Sequence, residues 1–128
     1  MLLDSSAMIA IVLGEPDAER LERQLATAPS LAIGAATLLE ATIVLSARLG
    51  EDARGRVSRF ILEAGVEVLP VTSAHVDIGM DAWLRFGKGR HPAALNFGDC
   101  LAYASAVLAD EPLICIGEDF ARTDCPRA

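Results

Sequence analysis

Four acidic residues stand at places in the chain where a carboxylate is costly. Asp4 ends the apolar run that opens the chain, and Glu40 lies in a helix that is apolar nearly all round. Asp99 falls in the first turn of another apolar helix, and Asp119 follows the last apolar run. A buried ionised carboxylate is destabilising unless it is paired or coordinates a cation. We therefore expect these four residues to share one function.

A divalent cation is the natural partner for such a group. Carboxylates gathered in one pocket cannot all stay ionised unless a cation neutralises them. Oxygen ligands of this kind suit Mg²⁺, with Mn²⁺ as a substitute. Such an ion binds a phosphate oxygen and makes a bound water a better nucleophile. These residue types therefore indicate hydrolysis of a phosphoester.

Three of the features have plainer interpretations that the sequence leaves open. Glu40 could lie at the rim of its helix, with its carboxylate reaching solvent. Asp4 stands directly before a predicted helix, so it could be only an N-cap. Residues 85–92 form the most basic segment, in which Arg85, Lys88 and Arg90 could face the phosphates of an extended polyanion. The same segment could also be an ordinary charged loop.

Strand and helix patterns alternate along the whole chain. Strands are predicted over residues 1–4, 31–34, 66–71 and 112–117. Helices are predicted over residues 5–13, 16–28, 35–49, 51–64, 72–86 and 96–110. This alternation favours a single domain, 1–128, with a three-layer α/β/α fold and a mostly parallel sheet of four to five short strands. Right-handed crossovers bring strand ends and helix starts to one edge, so the four acids are predicted to converge there.

Composition limits the class of protein. The chain has 128 residues, of which 52% are hydrophobic and 23% charged, so a folded globular protein is expected. Its net charge of −7 argues against a general nucleic-acid binder, although the acids gathered at one site account for much of that charge. Three cysteines without a CxxC pair make a disulfide framework or a zinc site unexpected. No apolar run reaches the roughly 20 residues of a membrane span, and no signal peptide is evident, so a cytoplasmic location is expected.

Four segments, in order, carry a family resemblance. They are Asp4-Ser5-Ser6-Ala7, Glu40 within its apolar helix, Asn96-Phe97-Gly98-Asp99-Cys100 and Gly117-Glu118-Asp119-Phe120. Together they resemble the signature of PIN-domain ribonucleases, and more narrowly that of the VapC-type toxins of type II toxin–antitoxin pairs. The resemblance extends over essentially the whole chain.

The resemblance implies roles for particular residues. Carried over by position, the acidic site consists of Asp4, Glu40, Asp99 and Asp119. Of these, Asp4 and Asp99 match the usual metal ligands. Ser6 and Asn96 match polar residues that support the pocket. Glu118 adjoins Asp119, and the sequence does not decide which of the two faces the ion.

The predicted function is therefore a metal-dependent endoribonuclease toxin with an RNA substrate. The resemblance further implies Mg²⁺ or Mn²⁺ as cofactor, a homodimer and a VapB-type antitoxin as partner. In this prediction Glu40 orients or deprotonates the attacking water, and Arg85, Lys88 and Arg90 guide the RNA backbone. The alternative is a catalytically weak or inactive PIN-like module whose acidic pocket binds a basic peptide. An aspartyl-phosphate enzyme fits less well, because the chain has Asp4-Ser5-Ser6 where such enzymes of the haloacid dehalogenase type carry Asp-x-Asp.

Overall fold

The computed structural model describes residues 1–128. Its strands are β1 (Leu2–Leu3), β2 (Leu31–Gly34), β3 (Val66–Leu69) and β4 (Leu113–Ile114). Its helices are α1 (Ser5–Leu13), α2 (Ala18–Thr27), α3 (Ala35–Leu49), α4 (Arg54–Ala64), α5 (Ser73–Phe86) and α6 (Phe97–Ala109). A 3₁₀ turn, Phe120–Arg122, follows β4. None of these helices has both the length and the apolar character that a membrane span requires.

The strands form one parallel sheet in the order β3-β2-β1-β4. In β1, Leu2 is paired with Ala32 on one side and with Leu113 on the other. The chain leaves β1 in one direction to reach β2 and returns on the other side as β4. Open α/β sheets bind ligands in the crevice at such a switch point, beyond the carboxyl ends of the strands. Asp4 follows directly on β1 at this position.

Different helices cover the two faces of the sheet. Leu3 points into a core built from α1 to α4, and Leu2 points into a second core built from α5, α6 and the C-terminal segment. Both leucines are 1% exposed, and burying such a side chain contributes about 1.5–3 kcal/mol. Alternate residues of so short a strand therefore anchor two separate helix layers. The predicted three-layer α/β/α fold with a parallel sheet of four strands is confirmed.

Several element boundaries differ from the predicted ones. The last strand was expected over residues 112–117 but contains only Leu113 and Ile114, because the Ile116 amide donates to Ser6 Oγ at 3.0 Å and not to a neighbouring strand. The third strand ends at Leu69, before Pro70, which has no amide hydrogen for the ladder. The second and fourth helices begin two and three residues later than expected, at Ala18 and Arg54.

Because residues 35–49 are apolar nearly all round, the sequence predicts a buried helix, and this prediction is wrong for one side of α3. Thr37, Ala41 and Leu45 are buried, but Leu39 and Ile43 are 61% and 59% exposed. The buried residues recur every four positions and face the sheet layer, as expected for a helix packed along one side. The apolar residues on the other side of α3 lack a partner within the chain.

Candidate active site

Asp4 combines two roles that the sequence presented as alternatives. It caps α1, because the Ser6 amide donates to Asp4 Oδ2 at 3.0 Å, and the Ser6 hydroxyl donates to the same oxygen at 2.5 Å. It is also only 5% exposed. Burial raises the pKa of Asp4, the bonds from Ser6 lower it, and the nearby charge of Glu40 raises it again. Asp4 is thus a helix cap in acidic, poorly solvated surroundings.

Ser6 connects Asp4 to the end of β4. While its hydroxyl donates to Asp4, its oxygen accepts the Ile116 amide hydrogen at 3.0 Å. A hydroxyl can donate one bond and accept others, so both contacts are satisfied together. The structure therefore places Ser6 between the first acid and the strand that leads to the last one.

Asp99 and Asn96 form a reciprocal cap at the start of α6. The Asp99 amide donates to Asn96 Oδ1 at 2.9 Å, and the Asn96 amide donates to Asp99 Oδ2 at 3.0 Å. Burial raises the pKa of Asp99 to about 6, and the charges of Asp4, Asp119 and Glu40 add to the increase against a lowering by the Asn96 amide. The charges of all four predicted acids therefore meet at the Asp99 carboxyl.

Glu40 reaches this pocket from the second turn of α3. Its Oε1 accepts a hydrogen bond of 2.5 Å from Ser5, the first residue of α1. Its Oε2 lies against Gly98, immediately before Asp99. The half-buried Glu40 therefore contacts the neighbours in sequence of both Asp4 and Asp99.

Asp119 is the acid after β4 whose charge reaches Asp99 and Cys115. Its neighbour Glu118 is exposed. Asp119 is itself exposed, so it lies at the solvent side of the pocket, whereas Asp4 lies at its floor.

The basic residues are arranged differently from the predicted loop. Arg85 lies in the last turn of α5, where it pairs with Asp124 at 2.6 Å, and Tyr103 donates to the same carboxylate at 2.8 Å. Lys88 and Arg90 are in the loop and exposed, and the Arg90 guanidinium stacks 4.8 Å from the centre of the Trp83 ring. Arg85 therefore holds the C-terminal segment, and the loop cations have no acidic partner.

The donor set suits a hard cation that keeps water ligands. No three His, Cys, Asp or Glu side chains are already spaced to hold a metal ion among themselves. Mg²⁺ usually takes only one or two carboxylates and completes its shell with water. In both aspartates the Oδ2 atom accepts the hydrogen bonds: from Ser6 in Asp4, and from the Asn96 amide in Asp99. The pKa of Asp99 is raised to about 6 by burial first and by the neighbouring negative charges second, and a bound cation would favour the ionised form against both.

Comparison with known proteins identifies the family of the chain. The model of the PIN domain matches residues 1–125. Ribonuclease VapC36 of Mycobacterium tuberculosis is 46% identical over 125 residues, which are 97% of this chain and 90% of that relative. Ribonuclease VapC of Mycolicibacterium smegmatis is 40% identical over 124 residues, covering 97% and 96% of the two chains. The chain belongs to the VapC ribonucleases of the PIN-domain family.

Solved structures show that the fold is shared with more distant toxins. A crystal structure of Mycobacterium tuberculosis VapC20, described as a toxin that cleaves the sarcin–ricin loop, matches with a TM-score of 0.80 at 18% identity, covering 99% of this chain and 97% of that one. A toxin–antitoxin complex from Klebsiella pneumoniae matches with a TM-score of 0.71 at 19% identity, covering 96% and 92%. At these identities the likeness to a VapC toxin establishes the fold.

Two residues beside the acids of this VapC chain were missed by the sequence argument. From the sequence, Ser5 is only part of a helix start and Gly98 only part of a motif. The sequence holds a signal for each. Ser5 and Ser6 are successive helix residues, so their side chains point in directions about 100° apart and cannot share one partner. Gly98 is the second residue of α6, where glycine is a poor helix former. Neither signal alone identifies Glu40 as the partner. The contact between Ser5 and Glu40, for example, joins residues that are 35 apart in the sequence.

Proposed function

We propose that this VapC ribonuclease is a metal-dependent endoribonuclease toxin in which Asp4 and Asp99 hold Mg²⁺, or Mn²⁺ in its place. One observation carries the proposal. Glu40 contacts Ser5, which follows Asp4, and Gly98, which precedes Asp99, so acids from separate elements lie in one pocket. The nearby charges of Asp4, Asp119 and Glu40 also raise the pKa of Asp99. Such a concentration of carboxylates destabilises a protein unless it serves to bind a cation.

Each acid has a distinct role in the proposed reaction. When bound, the cation neutralises the phosphate charge and lowers the pKa of a coordinated water. Glu40 is already held as a hydrogen-bond acceptor by Ser5, so it is suited to take the proton of the attacking water. Asp119, at the solvent side, completes the negative field of the pocket. Ser6 and Asn96 orient Asp4 and Asp99 through the bonds described above.

RNA is proposed to approach along a basic strip, defined as Lys88, Arg90 and Arg122. Arg122 lies in the 3₁₀ turn directly after Asp119 and donates to the Pro92 carbonyl at 3.3 Å, so it borders the loop that carries Lys88 and Arg90. All three are exposed and none pairs with an acid, in contrast to Arg85. Unpaired cations beside a metal site are well placed to bind phosphates. We assign Arg85 to the C-terminal segment and not to RNA.

A homodimer and a VapB-type antitoxin are the proposed partners. Support for a dimer comes from an apolar face, defined as Leu39, Ile43, Val76, Met80, Phe97 and Leu101. Two grooves, between α3 and α6 and between α5 and α6, share Phe97 and Leu101 and so make this face continuous. Phe97 is 83% exposed. Monomeric proteins rarely expose a large continuous apolar patch. The antitoxin is proposed to place an arginine in the acidic pocket, since an opposite charge would stabilise it.

The metal and the acids can be tested together. RNA cleavage is measured with Mg²⁺ and with EDTA, for the native chain and for Asp4→Asn and Asp99→Asn. Calorimetric titration of Mg²⁺ into each protein gives a readout that is independent of cleavage. We expect EDTA and either substitution to abolish cleavage, and the substitutions to weaken Mg²⁺ binding at least tenfold. The control is Asp81→Asn, an exposed acid on α5.

Equal cleavage by all variants and in EDTA would remove the metal mechanism. The alternative function, a module that binds a basic peptide, predicts a different result. In that case no RNA is cleaved under any condition, while a basic partner chain binds tightly to the native protein and weakly to Asp4→Asn.

A further inference from the structure

Ser5 makes a buried contact with the proposed catalytic glutamate. It is the first residue of α1 and is 8% exposed. Its hydroxyl donates to Glu40 Oε1 at 2.5 Å, although Glu40 is on another helix. A serine hydroxyl has one proton to donate, and here that proton goes to the Glu40 carboxylate. Ser5 therefore fixes one oxygen of Glu40.

Gly98 makes room for the other oxygen. A Cβ atom built at Gly98 would overlap Glu40 Oε2 and lie 2.8 Å from Glu40 Cδ. Gly98 does not have a positive φ, so backbone conformation is no reason for a glycine there. It lies in the first turn of α6, where alanine is the better helix former. A side chain at position 98 would therefore displace the Glu40 carboxylate from its observed place.

We propose that Ser5 and Gly98 are positioning residues that together fix Glu40 for catalysis. The inference rests on the nuclease function proposed above. Ser5 follows Asp4 and Gly98 precedes Asp99 in the sequence. The carboxylate of Glu40 is therefore held by the immediate neighbours of the two proposed metal ligands. Its location relative to both is set by the short side chain of Ser5 and by the backbone at Gly98.

The arrangement is effective because Glu40 is only half-buried. A glutamate side chain has several rotatable bonds and loses conformational freedom when it is fixed. A hydrogen bond at Oε1 and van der Waals contact at Oε2 keep it in one orientation before substrate arrives. Preorganised groups of this kind avoid a reorganisation cost during the reaction, and small displacements can reduce the rate about 100-fold.

The first test compares kinetic constants. We expect Ser5→Ala to lower kcat about 10- to 100-fold with KM changed less than about twofold. Ser5→Thr retains the hydroxyl and should recover most of the rate. In a Glu40→Gln background, Ser5→Ala should cause no further loss, because Ser5 acts through Glu40. A full additional loss in that background, or an unchanged kcat for Ser5→Ala, would overturn the role of Ser5.

The second test uses thermal unfolding of the metal-free protein and requires no activity. Gly55→Ala is the matched control, since Gly55 is the second residue of α4 and has no atom within 4 Å of its added Cβ. Gly55→Ala should raise Tm by about 2–4 °C in any background. Gly98→Ala should give no such gain in the native chain, because it displaces the Glu40 carboxylate. In a Glu40→Ala background the same change should raise Tm as Gly55→Ala does.

The two tests separate this inference from the nuclease proposal. If Gly98→Ala changes Tm equally in the native and Glu40→Ala backgrounds, Gly98 does not accommodate Glu40 and the inference fails. If the native chain does not cleave RNA but the Tm gain still depends on Glu40, the geometry stands and only the catalytic role is lost. A Gly98→Ala chain that fails to fold supports the inference when Glu40→Ala restores folding, and overturns it otherwise.

Discussion

Asp99 has the most informative surroundings of any single residue in this protein. Burial and the charges of three other acids raise the pKa of its carboxyl to about 6. An ordinary Asp at a helix start would be stabilised by the helix dipole and the cap bonds. At Asp99 the destabilising contributions dominate, as is typical of sites that bind a cation or perform chemistry.

This environment predicts a pH dependence of stability in the metal-free protein. The pKa of Asp99 is about 6 in the folded protein and 3.8 in the absence of structure. Between these values the folded state binds more protons, so the free energy of unfolding should decrease as pH rises. The Asp99→Asn variant should lack the part of this decrease in stability that is due to Asp99. Above pH 6 it should therefore have a higher Tm than the native chain.

Thermal unfolding across this pH range, in EDTA, measures the effect. Asp81→Asn, an exposed acid of α5, serves as the control and should follow the native curve. Asp4 also has a raised pKa, so the relevant quantity is the difference between the native and Asp99→Asn curves. Parallel curves throughout would show that burial and the neighbouring acids do not raise the pKa of Asp99 in the folded protein.

At the scale of elements, Ser6 joins the start of α1 to the end of β4. Its bonds to Asp4 Oδ2 and to the Ile116 amide explain why β4 stops after Ile114. The strand ends there, and the residues that follow it turn toward the acidic pocket. Asp119 is thereby brought to the same edge of the sheet as Asp4 and Asp99.

Removing this hydroxyl should cost stability as well as activity. Ser6→Ala leaves the Ile116 amide without its acceptor and removes one donor from Asp4, so we expect the free energy of unfolding to fall by about 1–3 kcal/mol. Urea denaturation measures the change. The matched control is Ser58→Ala on the exposed side of α4, for which a change within about 0.5 kcal/mol is expected. Equal effects of the two substitutions would contradict the role given to Ser6.

The distribution of charge over the whole molecule favours one path for RNA. Seven of the 11 basic side chains are in ion pairs. The remaining four are Lys88, Arg90, Arg122 and Arg127, and three of these form the basic strip. In a chain with a net charge of −7, three of the four unpaired cations therefore lie in one strip, and one of them, Arg122, is three residues after Asp119.

The salt dependence of RNA binding tests this strip. In an Asp99→Asn background, which keeps the RNA intact, Arg122→Ala should weaken binding of a short single-stranded RNA. It should also reduce the slope of log K against log salt by about 0.7, as expected for one lost phosphate contact. The control is Arg54→Ala, which removes from α4 a cation that is paired with Asp52. This variant should leave the slope unchanged. An unchanged slope for Arg122→Ala would exclude a phosphate contact at this residue.

The proposed homodimer can be tested at the apolar face. A charge placed in a desolvated interface without a partner costs about 3–5 kcal/mol. Ile43→Asp and Met80→Asp should therefore convert a dimer into monomers, as measured by sedimentation. Leu62→Asp is the control, because Leu62 is 82% exposed on α4 and lies outside the apolar face. A native chain that is monomeric without antitoxin would contradict the proposed homodimer and leave the face for the antitoxin to cover.

Much of the fold and of the candidate site could be predicted from the sequence because it is encoded locally. Short apolar runs bounded by breakers mark β1, β2 and β4, and amphipathic spacing marks the helices. The four acids were recognised because each lies within an apolar segment or directly beyond one, and alternation of strands and helices implies that they share an edge. The carried-over motifs in turn identified the ribonuclease family.

The tertiary structure alone decided which side chains meet across the chain. Arg85 pairs with Asp124, 39 residues away, a contact that the local sequence does not indicate. Leu39 and Ile43 are exposed because no element of the chain packs on that side of α3. Ser5 and Gly98 acquire a role only because Glu40 enters between α1 and α6. Periodicity determines which face of a helix is apolar, but packing between distant elements determines what that face and its neighbours contact.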